Sequence, residues 1–548
     1  MSEAGITGDR ALLKPCQRYF WRAVPLQQQT GSSVFEALFY PQTHQAGIAG
    51  IATLLESPYP LPPDSLPVQA TEMARYSICA GAPREVNGQP QLWTPPLGEI
   101  LPFLQSLTAQ APVQTVISDV EISLPDDIPF VGGWLGWLGY DLAWEVESLP
   151  WLKDDELPFP VAFWYEPAEF AVLDHHLQQL WLVSETLEGL QGLVDKVVSL
   201  SVESVGALAP NATRSDQEAA FENFPSIYID KKKSGERKKA DIVTVSDLNK
   251  RSVDNSDTYD LTFETDQQTF EQAVRRAKAH IRAGDVFQVN HSLRFQAKTR
   301  VPSWSVYKTL QGINPSPFAS YWHTPWGAVV SCSPERLVHL KAGRAQSRPI
   351  AGTRSRGSSV AEDAANAEEL RRDRKEQAEH IMLVDLERND LGRVCEWGSV
   401  QVEELMTVER YSHVMHLVSN VVGQLSTEHN RSDLIAALFP GGTITGCPKV
   451  RCMEIIETLE PVRRSLFYGS CGYFDRRGRL DLNILIRTLL LAHPIGKASD
   501  SDAANISDSD LTTVWGQVGA GIVADSEPER EWLESLQKAK AQLLALGL

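Results

Sequence analysis

Residues 440–457 read PGGTITGCPKVRCMEIIE, and two shorter motifs lie upstream of them, SPERL at 333–337 and RPIAGTRSRG at 348–357. The last motif sets three arginines around a proline and two glycines, which suits an anionic ligand. The residue at its centre is Ala351, a side chain that can do no chemistry. Together the motifs indicate a site for an anion in the C-terminal half of the chain.

Length and charge limit the class of protein. A chain of 548 residues exceeds what one hydrophobic core usually organises, so several domains or one large two-lobed body are expected. The formal charge of −19 argues against sequence-independent nucleic-acid binding and against docking on anionic lipid. No nucleic-acid or membrane partner is therefore expected, and an anionic substrate must be drawn in by local arginines.

Cysteine usage and hydropathy favour a soluble, cytoplasmic protein. The seven cysteines are scattered and show no CxxC spacing, which is typical of a reducing compartment. Residues 1–20 lack a signal pattern, and no apolar run reaches the length of about 18 residues that a membrane span needs.

Composition changes twice along the chain. Residues 1–203 contain short apolar runs broken by Pro, Gly and polar clusters, which predicts strands of an N-terminal lobe. Residues 204–258 are charged and poor in apolar anchors, which predicts a disordered insertion. Residues 259–548 mix helical and strand patterns without a βαβ rhythm, and within them 497–510 is interpreted as a long hairpin loop.

Three helices are predicted in this last region. Thr265 followed by Gln268 matches a capping box that starts the first. The second covers AEELRRDRKEQAEHIMLVDLERNDLGRV at 367–394, and the third covers the tail at 525–548.

The second and third helices each carry a pair of glutamates. Glu376 and Glu379 are three residues apart, as are Glu531 and Glu534, so each pair leaves one face of its helix. Such oxygen ligands suit Mg²⁺, which also keeps waters and a substrate carboxylate or phosphate. A solvated helix face explains either pair equally well when it is taken alone.

Other C-terminal residues suit a carboxylate ligand. Gly519 and Gly521 let a ligand approach backbone N–H groups. Arg487 lies in the otherwise apolar LDLNILIRTLLL, where a buried guanidinium needs a counter-anion. A structural ion pair is the alternative explanation for Arg487.

Together with GDVFQVN, AEHIMLVDLERNDLGRV, YSHVMHLVS and GAGIVADSEPE, the motifs resemble those of the chorismate-utilising enzymes, in the same order over about 265–545. A weaker resemblance to anthranilate and aminodeoxychorismate synthase large subunits covers TLLES and ARYSICAG in the N-terminal region. The resemblance implies an α+β, two-lobed chorismate-binding fold of the anthranilate synthase component I type, with large antiparallel sheets flanked by helices. Residues 259–548 would then be the catalytic domain.

The resemblance also implies roles for single residues. Glu335 matches a general acid that helps the C4 hydroxyl of chorismate leave and must stay protonated near neutrality. His416 matches a histidine beside the ring, and Thr443 a threonine that contacts the substrate. The implied Mg²⁺ ligands, direct or through water, are Glu376, Glu379, Glu531 and Glu534. The implied substrate-binding residues are Gln288, Ala351, Gly352, Thr353, Tyr473, Arg487, Gly519, Gly521 and Lys538.

The resemblance leaves two ammonia-using subfamilies as alternatives, anthranilate synthase and aminodeoxychorismate synthase. Gln288 stands where water-adding members carry a lysine base, so ammonia is the expected nucleophile. Many aminodeoxychorismate synthases have a nucleophilic lysine where this chain has Ala351, and in that position the chain resembles anthranilate synthase. Asn290, PGGTITG and GGWLGWLGYDLAWEVESLP resemble aminodeoxychorismate synthase component I instead.

The favoured expectation is 4-amino-4-deoxychorismate as the product, for 4-aminobenzoate and folate biosynthesis. Anthranilate synthase component I is the first alternative, and a non-catalytic chorismate or tryptophan sensor is the second. The chain lacks a GxCxGxQ glutaminase motif, so a separate glutamine amidotransferase is expected to supply ammonia. A bound tryptophan is implied by residues that resemble the family's tryptophan pocket, namely Leu55, Glu56, Ser57, Arg75, Tyr76 and Ser77.

Overall fold

The computed structural model of the protein describes residues 19–40, 47–57, 73–108, 115–117, 124–203, 258–411, 414–492 and 511–548. The predicted loop at 497–510 lies outside the described residues, as does the predicted insertion at 204–258 apart from its last residue. Among the helices in the described ranges, none is long and apolar enough to cross a membrane.

The elements are numbered in chain order. The α-helices are α1 (Gly31–Leu38), α2 (Ile100–Thr108), α3 (Ala143–Val146), α4 (Leu187–Glu203), α5 (Gln267–Ala283), α6 (Ser303–Ile313), α7 (Val360–Arg372), α8 (Arg374–Gly392), α9 (Arg431–Leu438), α10 (Gly442–Thr445), α11 (Lys449–Leu459) and α12 (Pro528–Ala545). The strands are β1 (Tyr19–Pro25), β2 (Ala52–Glu56), β3 (Tyr76–Ala80), β4 (Glu85–Val86), β5 (Gln89–Pro90), β6 (Leu92–Trp93), β7 (Thr115–Ile117), β8 (Gly133–Leu138), β9 (Ala162–Tyr165), β10 (Glu169–Asp174), β11 (Gln179–Ser184), β12 (Thr258–Phe263), β13 (Gln288–Thr299), β14 (Phe318–Thr324), β15 (Gly327–Ser333), β16 (Arg336–Lys341), β17 (Arg344–Ser347), β18 (Ile350–Ser355), β19 (Gln401–Arg410), β20 (Val414–Gln424), β21 (Gly446–Cys447), β22 (Ser470–Asp475), β23 (Leu480–Asn483), β24 (Thr488–Ala492) and β25 (Thr512–Ile522).

Two large sheets form the body. The larger sheet has the order β12-β13-β25-β24-β15-β14-β2-β3-β10-β11-β1-β7, with β21 paired to β13. The second has the order β18-β20-β17-β16-β23-β22-β8-β9-β6, with β19 paired to β20. Neighbouring strands run antiparallel in the described pairs except for β1 and β7. The expected α+β fold with large antiparallel sheets is confirmed.

Each sheet takes strands from both regions of the chain. In the larger sheet β2 pairs with β14, so that Leu54 lies opposite Tyr321. In the second sheet β8 pairs with β22, so that Gly136 lies opposite Gly472. The predicted regions 1–203 and 259–548 therefore separate two stretches of chain but not two sheets.

The core between the sheets explains the aromatic and glycine-rich segment around β8. Trp134 and Trp137 of this strand and Trp164 of β9 are almost fully buried. A Cβ atom at Gly136 would lie 2.1 Å from the carbonyl oxygen of Phe163, so the strands approach closely only because glycine stands there. The segment therefore belongs to the core.

The first predicted helix begins one residue later than its capping pattern suggested. The N-cap is Asp266, whose carboxylate accepts a hydrogen bond from the backbone N–H of Thr269 at 2.7 Å. The capping box assigned to Thr265 was wrong. Gly284, with a φ of +81°, ends the helix in a left-handed conformation.

The second predicted helix is two helices, α7 and α8. Asp373 leaves the helical region with ψ of 110°, and its carboxylate accepts hydrogen bonds from the backbone N–H groups of Lys375 and Glu376. A residue that caps a new helix therefore interrupts the apolar periodicity, which the sequence pattern did not reveal. Glu376 lies in the first turn of α8 as a result.

Candidate active site

One cavity of about 570 Å³ contains the predicted catalytic, substrate-binding and metal-binding residues with the exception of Tyr473. Its walls come from β13 and β25 of the larger sheet, β18 and β20 of the second sheet, and helices α8, α10 and α12. The predicted residues that line it are Gln288, Glu335, Ala351, Gly352, Thr353, Glu376, Glu379, His416, Thr443, Arg487, Gly519, Gly521, Glu531, Glu534 and Lys538.

Glu335 lies in the cavity wall with only 5% of its surface exposed. Burial raises the pKa of this carboxyl group to about 8, and the charge of Glu387 adds to the rise. The Thr443 hydroxyl and the backbone N–H of Ile350 oppose it. Glu335 is therefore mostly protonated at neutral pH, which is the state that a general acid requires.

A second buried acid behind Glu335 was not predicted. Burial and the neighbouring Asp390 raise the pKa of Glu387 to about 7, against the opposing charge of Lys449. The Lys449 ammonium itself pairs with Asp390 at 2.6 Å. Glu387 lies on α8 in the VDLERND segment, where its apolar neighbours were the only sequence sign of burial.

His416 is a neutral imidazole. Burial, with the nearby charge of Arg487, lowers the pKa of the ring to about 3. Its Nδ1 lies 3.3 Å from the carbonyl oxygen of Gly352 and 3.0 Å from the Thr353 hydroxyl. When Nδ1 donates to that carbonyl, Nε2 is left as an acceptor towards a ligand.

Arg487 lies in the cavity wall with a backbone φ of +51°, an unusual value for a residue other than glycine. Its Nη1 donates to the side-chain oxygen of Asn314 at 2.6 Å. Burial lowers the pKa of the guanidinium, but arginine stays charged at neutral pH. No carboxylate of the described residues forms an ion pair with it, so the cation is available to an anionic ligand.

The four predicted metal ligands all line the cavity, as one pair on α8 and one pair on α12. Burial raises the pKa of Glu379, with Glu376 adding to the rise, and Glu534 similarly adds to the rise that burial causes at Glu531. Lys375 and Lys538 oppose this repulsion within each pair, and a bound cation would relieve it further. Across the described ranges no three acidic or metal-binding side chains form a ready-made metal cluster. The donor set still fits Mg²⁺, which often takes one or two protein carboxylates and completes its shell with water and substrate.

Gly519 and Gly521 lie on β25 and allow close approach of its neighbour β13. A Cβ atom at Gly521 would lie 2.4 Å from Gln288 Nε2, and one at Gly519 would lie 2.5 Å from the carbonyl oxygen of His291. Only glycine fits at either position without a shift. Lys538 closes this edge, because its Nζ donates to the Gly519 carbonyl oxygen at 2.8 Å and pairs with Glu534 at 3.1 Å.

Comparison with known proteins matches residues 69–544 to the family of chorismate binding enzymes. The chain belongs to this family. It is 51% identical to the "Anthranilate synthase component I-like protein" of Synechocystis sp., over 97% of this chain and 93% of that protein. It is 37% identical to "Aminodeoxychorismate synthase component 1" of Bacillus subtilis, over 96% and 97%. It is also 37% identical to "Anthranilate synthase component 1" of Synechocystis sp., over 78% of each chain.

A solved structure shares the fold. Anthranilate synthase component I from Streptococcus pneumoniae superposes with a TM-score of 0.62 and 28% sequence identity. The match covers 89% of this chain and 95% of that one. This chain is therefore a chorismate-binding enzyme of the anthranilate synthase component I-like type.

Tyr473 is the exception among the predicted substrate-binding residues. It lies on β22 and lines a second cavity, with its ring edge-to-face against Phe130 at 5.8 Å. Tyr468, five residues earlier, lines the active-site cavity instead, below the Arg464 guanidinium at 4.6 Å from its ring. Tyr468 lies in the turn before β22 with a backbone φ of +66°, whereas Tyr473 lies within the strand. The structure therefore does not bring Tyr473 to the other predicted substrate-binding residues, and Tyr468 is the tyrosine of this segment that lines their cavity.

The second cavity, of about 620 Å³, contains most of the predicted tryptophan pocket. Leu55, Glu56, Ser57, Arg75 and Tyr76 line it. Ser77 does not, which corrects its assignment. It is buried behind the wall, where its hydroxyl accepts from the Ser57 backbone N–H at 3.2 Å and meets the His175 ring at 2.9 Å.

Glu56 is less available to a ligand than the sequence suggested. Burial raises the pKa of its carboxyl group. Its oxygens accept hydrogen bonds from the Ser32 backbone N–H at 2.6 Å and the Tyr307 hydroxyl at 2.8 Å. Glu56 therefore fixes the start of α1 as well as lining the cavity.

Proposed function

We propose that the protein aminates chorismate to 4-amino-4-deoxychorismate, the precursor of 4-aminobenzoate. The observation that carries the proposal is one cavity that holds a protonated acid, Glu335, and the Arg487 guanidinium, which has no carboxylate partner among the described residues. Chorismate requires both groups, because it is a dianion whose C4 hydroxyl must gain a proton to leave as water. If Glu335 and Arg487 lay in different cavities, the proposal would lose this support.

Each side chain then has a distinct task. Arg487 binds one carboxylate of chorismate through two parallel N–H groups. Glu335 donates its proton to the departing C4 hydroxyl. His416, neutral and held through Nδ1, presents Nε2 as an acceptor that orients the substrate without adding charge.

Mg²⁺ would be held by Glu376, Glu379, Glu531 and Glu534, directly or through water. When bound, it supplies positive charge for the second carboxylate of chorismate. The residues of the chain provide the acidic wall that draws it there.

Removal of divalent cations tests this assignment. We expect EDTA to abolish turnover and Mg²⁺ to restore it, because the acidic wall of the cavity would otherwise repel the dianion. Glu531→Gln should raise the Mg²⁺ concentration needed for half-maximal chorismate binding by about tenfold, the loss of one charged contact. Glu529→Gln, on the exposed face of the same helix, is the matched control. If calorimetry finds the same Mg²⁺ dependence for both variants, Glu531 does not help to hold Mg²⁺.

The position of the new amine is supported by similarity along the whole chain. The Bacillus subtilis aminodeoxychorismate synthase matches 96% of this chain, against 78% for the Synechocystis anthranilate synthase. Synechocystis also has a more similar protein, at 51% identity, that is distinct from its anthranilate synthase. Asn290, which favoured this subfamily, lines the active-site cavity.

Ala351 favours anthranilate synthase component I as the second candidate. Its methyl group lines the active-site cavity on β18, opposite Leu417 of β20. A methyl group cannot form a covalent intermediate at C2, and it leaves room for ammonia to attack there. If the main proposal holds, ammonia reaches C4 without a lysine adduct at this position.

Product analysis separates the two candidates. With chorismate, Mg²⁺ and ammonium, we expect no anthranilate fluorescence, and 4-aminobenzoate only after an aminodeoxychorismate lyase is added. Fluorescent product without the lyase would establish the second candidate. With glutamine alone we expect no turnover until a glutamine amidotransferase subunit is added, since the chain has no glutaminase motif. Glutamine-driven turnover by the purified chain would refute the need for that partner.

Tryptophan should stabilise the protein through the second cavity. A ligand at a hundred times its Kd adds about 2.7 kcal/mol to the free energy of unfolding, so the melting temperature should rise measurably. Tyr76→Ala, which truncates the cavity wall, should reduce the shift, whereas Tyr259→Ala, on an edge strand away from both cavities, should not. If tryptophan changes neither the melting temperature nor the turnover, the second cavity does not bind tryptophan.

A further inference from the structure

Two buried carboxylic acids lie beside the first residues of α10, and the proposed reaction uses only one of them. Glu335 lines the active-site cavity. Glu387 lies outside the cavity wall, one turn along α8 from Leu383, which does line the cavity. Both acids are only 5% exposed. Any contribution of Glu387 to the reaction must therefore pass through a neighbouring residue.

Consecutive residues of α10 contact the two acids. The backbone N–H of Gly442 donates to Glu387, and a Cβ atom at Gly442 would lie 3.7 Å from Glu387 Oε1. The hydroxyl group of the next residue, Thr443, faces the Glu335 carboxyl group, and both side chains line the cavity. The two acids are therefore close enough for the charge of one to affect the ionisation of the other.

No cation of the described residues forms an ion pair with either acid. The cation that acts on Glu387 is Lys449, and its ammonium group is already paired with Asp390 at 2.6 Å. The other polar groups that face Glu387 are the Asp390 carboxyl group and the Ser347 hydroxyl group of β17. Two buried carboxylates without a cation between them cannot both ionise at low cost, so Glu335 and Glu387 retain a shared proton.

The order in which the two acids ionise follows from their surroundings. The pKa of Glu387 is raised to about 7 and that of Glu335 to about 8, so Glu387 loses its proton first as the pH rises. Its negative charge then opposes the ionisation of Glu335. Protonated Glu335 consequently persists to a higher pH than it would beside an uncharged neighbour.

We propose that Glu387 is a positioning residue for the reaction, whose carboxylate keeps the Glu335 acid protonated in mildly alkaline solution. The proposal rests on the proposed function, since it presupposes that Glu335 is the general acid. Glu387 itself contacts no substrate and takes part in no bond that forms or breaks.

Glu387→Gln tests the proposal, because the amide keeps the shape of the side chain and an acceptor for the Gly442 N–H but cannot ionise. We expect the alkaline limb of kcat/KM to move about half a unit to one unit towards lower pH, the effect of removing a nearby like charge. At about pH 8 kcat/KM should fall about twofold to fivefold, whereas at about pH 6 it should be unchanged. Glu387→Asp keeps the charge, so its limb should stay at the native pH.

Asp385→Asn is the matched control on the same helix. The Asp385 side chain is 66% exposed and pairs with Arg388 at 2.8 Å, so its loss removes one negative charge from α8 without changing the buried pair. The alkaline limb should not move in this variant.

Thermal unfolding provides a measurement that does not depend on turnover. Burial raises the pKa of Glu387 from 4.5 to about 7, so the native protein loses stability as the pH rises through this range. Glu387→Gln cannot ionise, and its melting temperature should fall less over the same range.

An alkaline limb at the same pH in the native protein and in Glu387→Gln would overturn the proposal. So would a fall in kcat/KM that is equal at both pH values, or the same shift in Glu387→Asp or Asp385→Asn as in Glu387→Gln. Full turnover by Glu335→Gln would instead overturn the role of Glu335 on which the proposed function depends.

Discussion

Glu335→Gln will reduce turnover of chorismate by about a hundredfold to ten-thousandfold, the range for loss of a general acid. Burial keeps the native carboxyl protonated, and a neutral amide copies its shape and charge but cannot give up a proton. Chorismate affinity should therefore change little. Stopped-flow binding and steady-state turnover measured on the same preparation separate the two quantities.

The pH dependence of the native enzyme provides the control for this variant. The pKa of Glu335 lies near 8, so kcat/KM should be constant below that pH and fall above it as the acid ionises. The residual activity of Glu335→Gln should lack this alkaline limb. Full turnover by the variant, or the same limb in both proteins, would show that another group supplies the proton.

Arg487→Met will weaken chorismate binding by about thirtyfold to several-thousandfold. Truncating one member of a buried hydrogen-bonded charge pair costs about 2 to 5 kcal/mol, and the substrate carboxylate would be the other member. Without substrate the guanidinium has no carboxylate partner among the described residues, so replacing it removes an uncompensated buried charge. The melting temperature of the free protein should consequently stay the same or rise.

Arg336→Met distinguishes this result from general damage. The Arg336 guanidinium forms two hydrogen bonds of 2.8 Å to Asp481 in the wall of the second cavity. Its loss should leave Asp481 unpaired and lower the melting temperature, while the Kd for chorismate is unchanged. If Arg487→Met lowers the melting temperature and leaves the Kd unchanged, Arg487 is a structural residue.

Short motifs predicted which side chains would line one cavity, because the expected chemistry requires particular side chains at fixed spacing. Glu376 and Glu379 leave one helix face by geometry alone. An arginine within an apolar strand, Arg487, similarly indicates a buried charge that awaits an anion. For these residues the local sequence contains the physical reason for their placement.

Long-range contacts set the features that the sequence did not reveal. Tyr468 and Tyr473 look equivalent in FYGSCGYF, but Tyr468 lies in a turn with a φ of +66° and lines the active-site cavity, whereas Tyr473 lies in β22, which pairs with β8. Asp373 interrupts a continuous helical pattern because its carboxylate can cap the helix that follows. The burial of Glu387 behind Glu335 depends on the packing of α8, which a charged segment does not disclose.

Each sheet combines strands from the N-terminal and the C-terminal regions of the chain, and this affects how the chain folds during its synthesis. β2 and β8 emerge from the ribosome long before their partners β14 and β22. Their edges remain open during that interval, and contacts so distant in sequence form slowly. A nascent chain that stops before residue 475 would thus hold exposed strand edges, and we expect it to depend on chaperones until the last strands arrive.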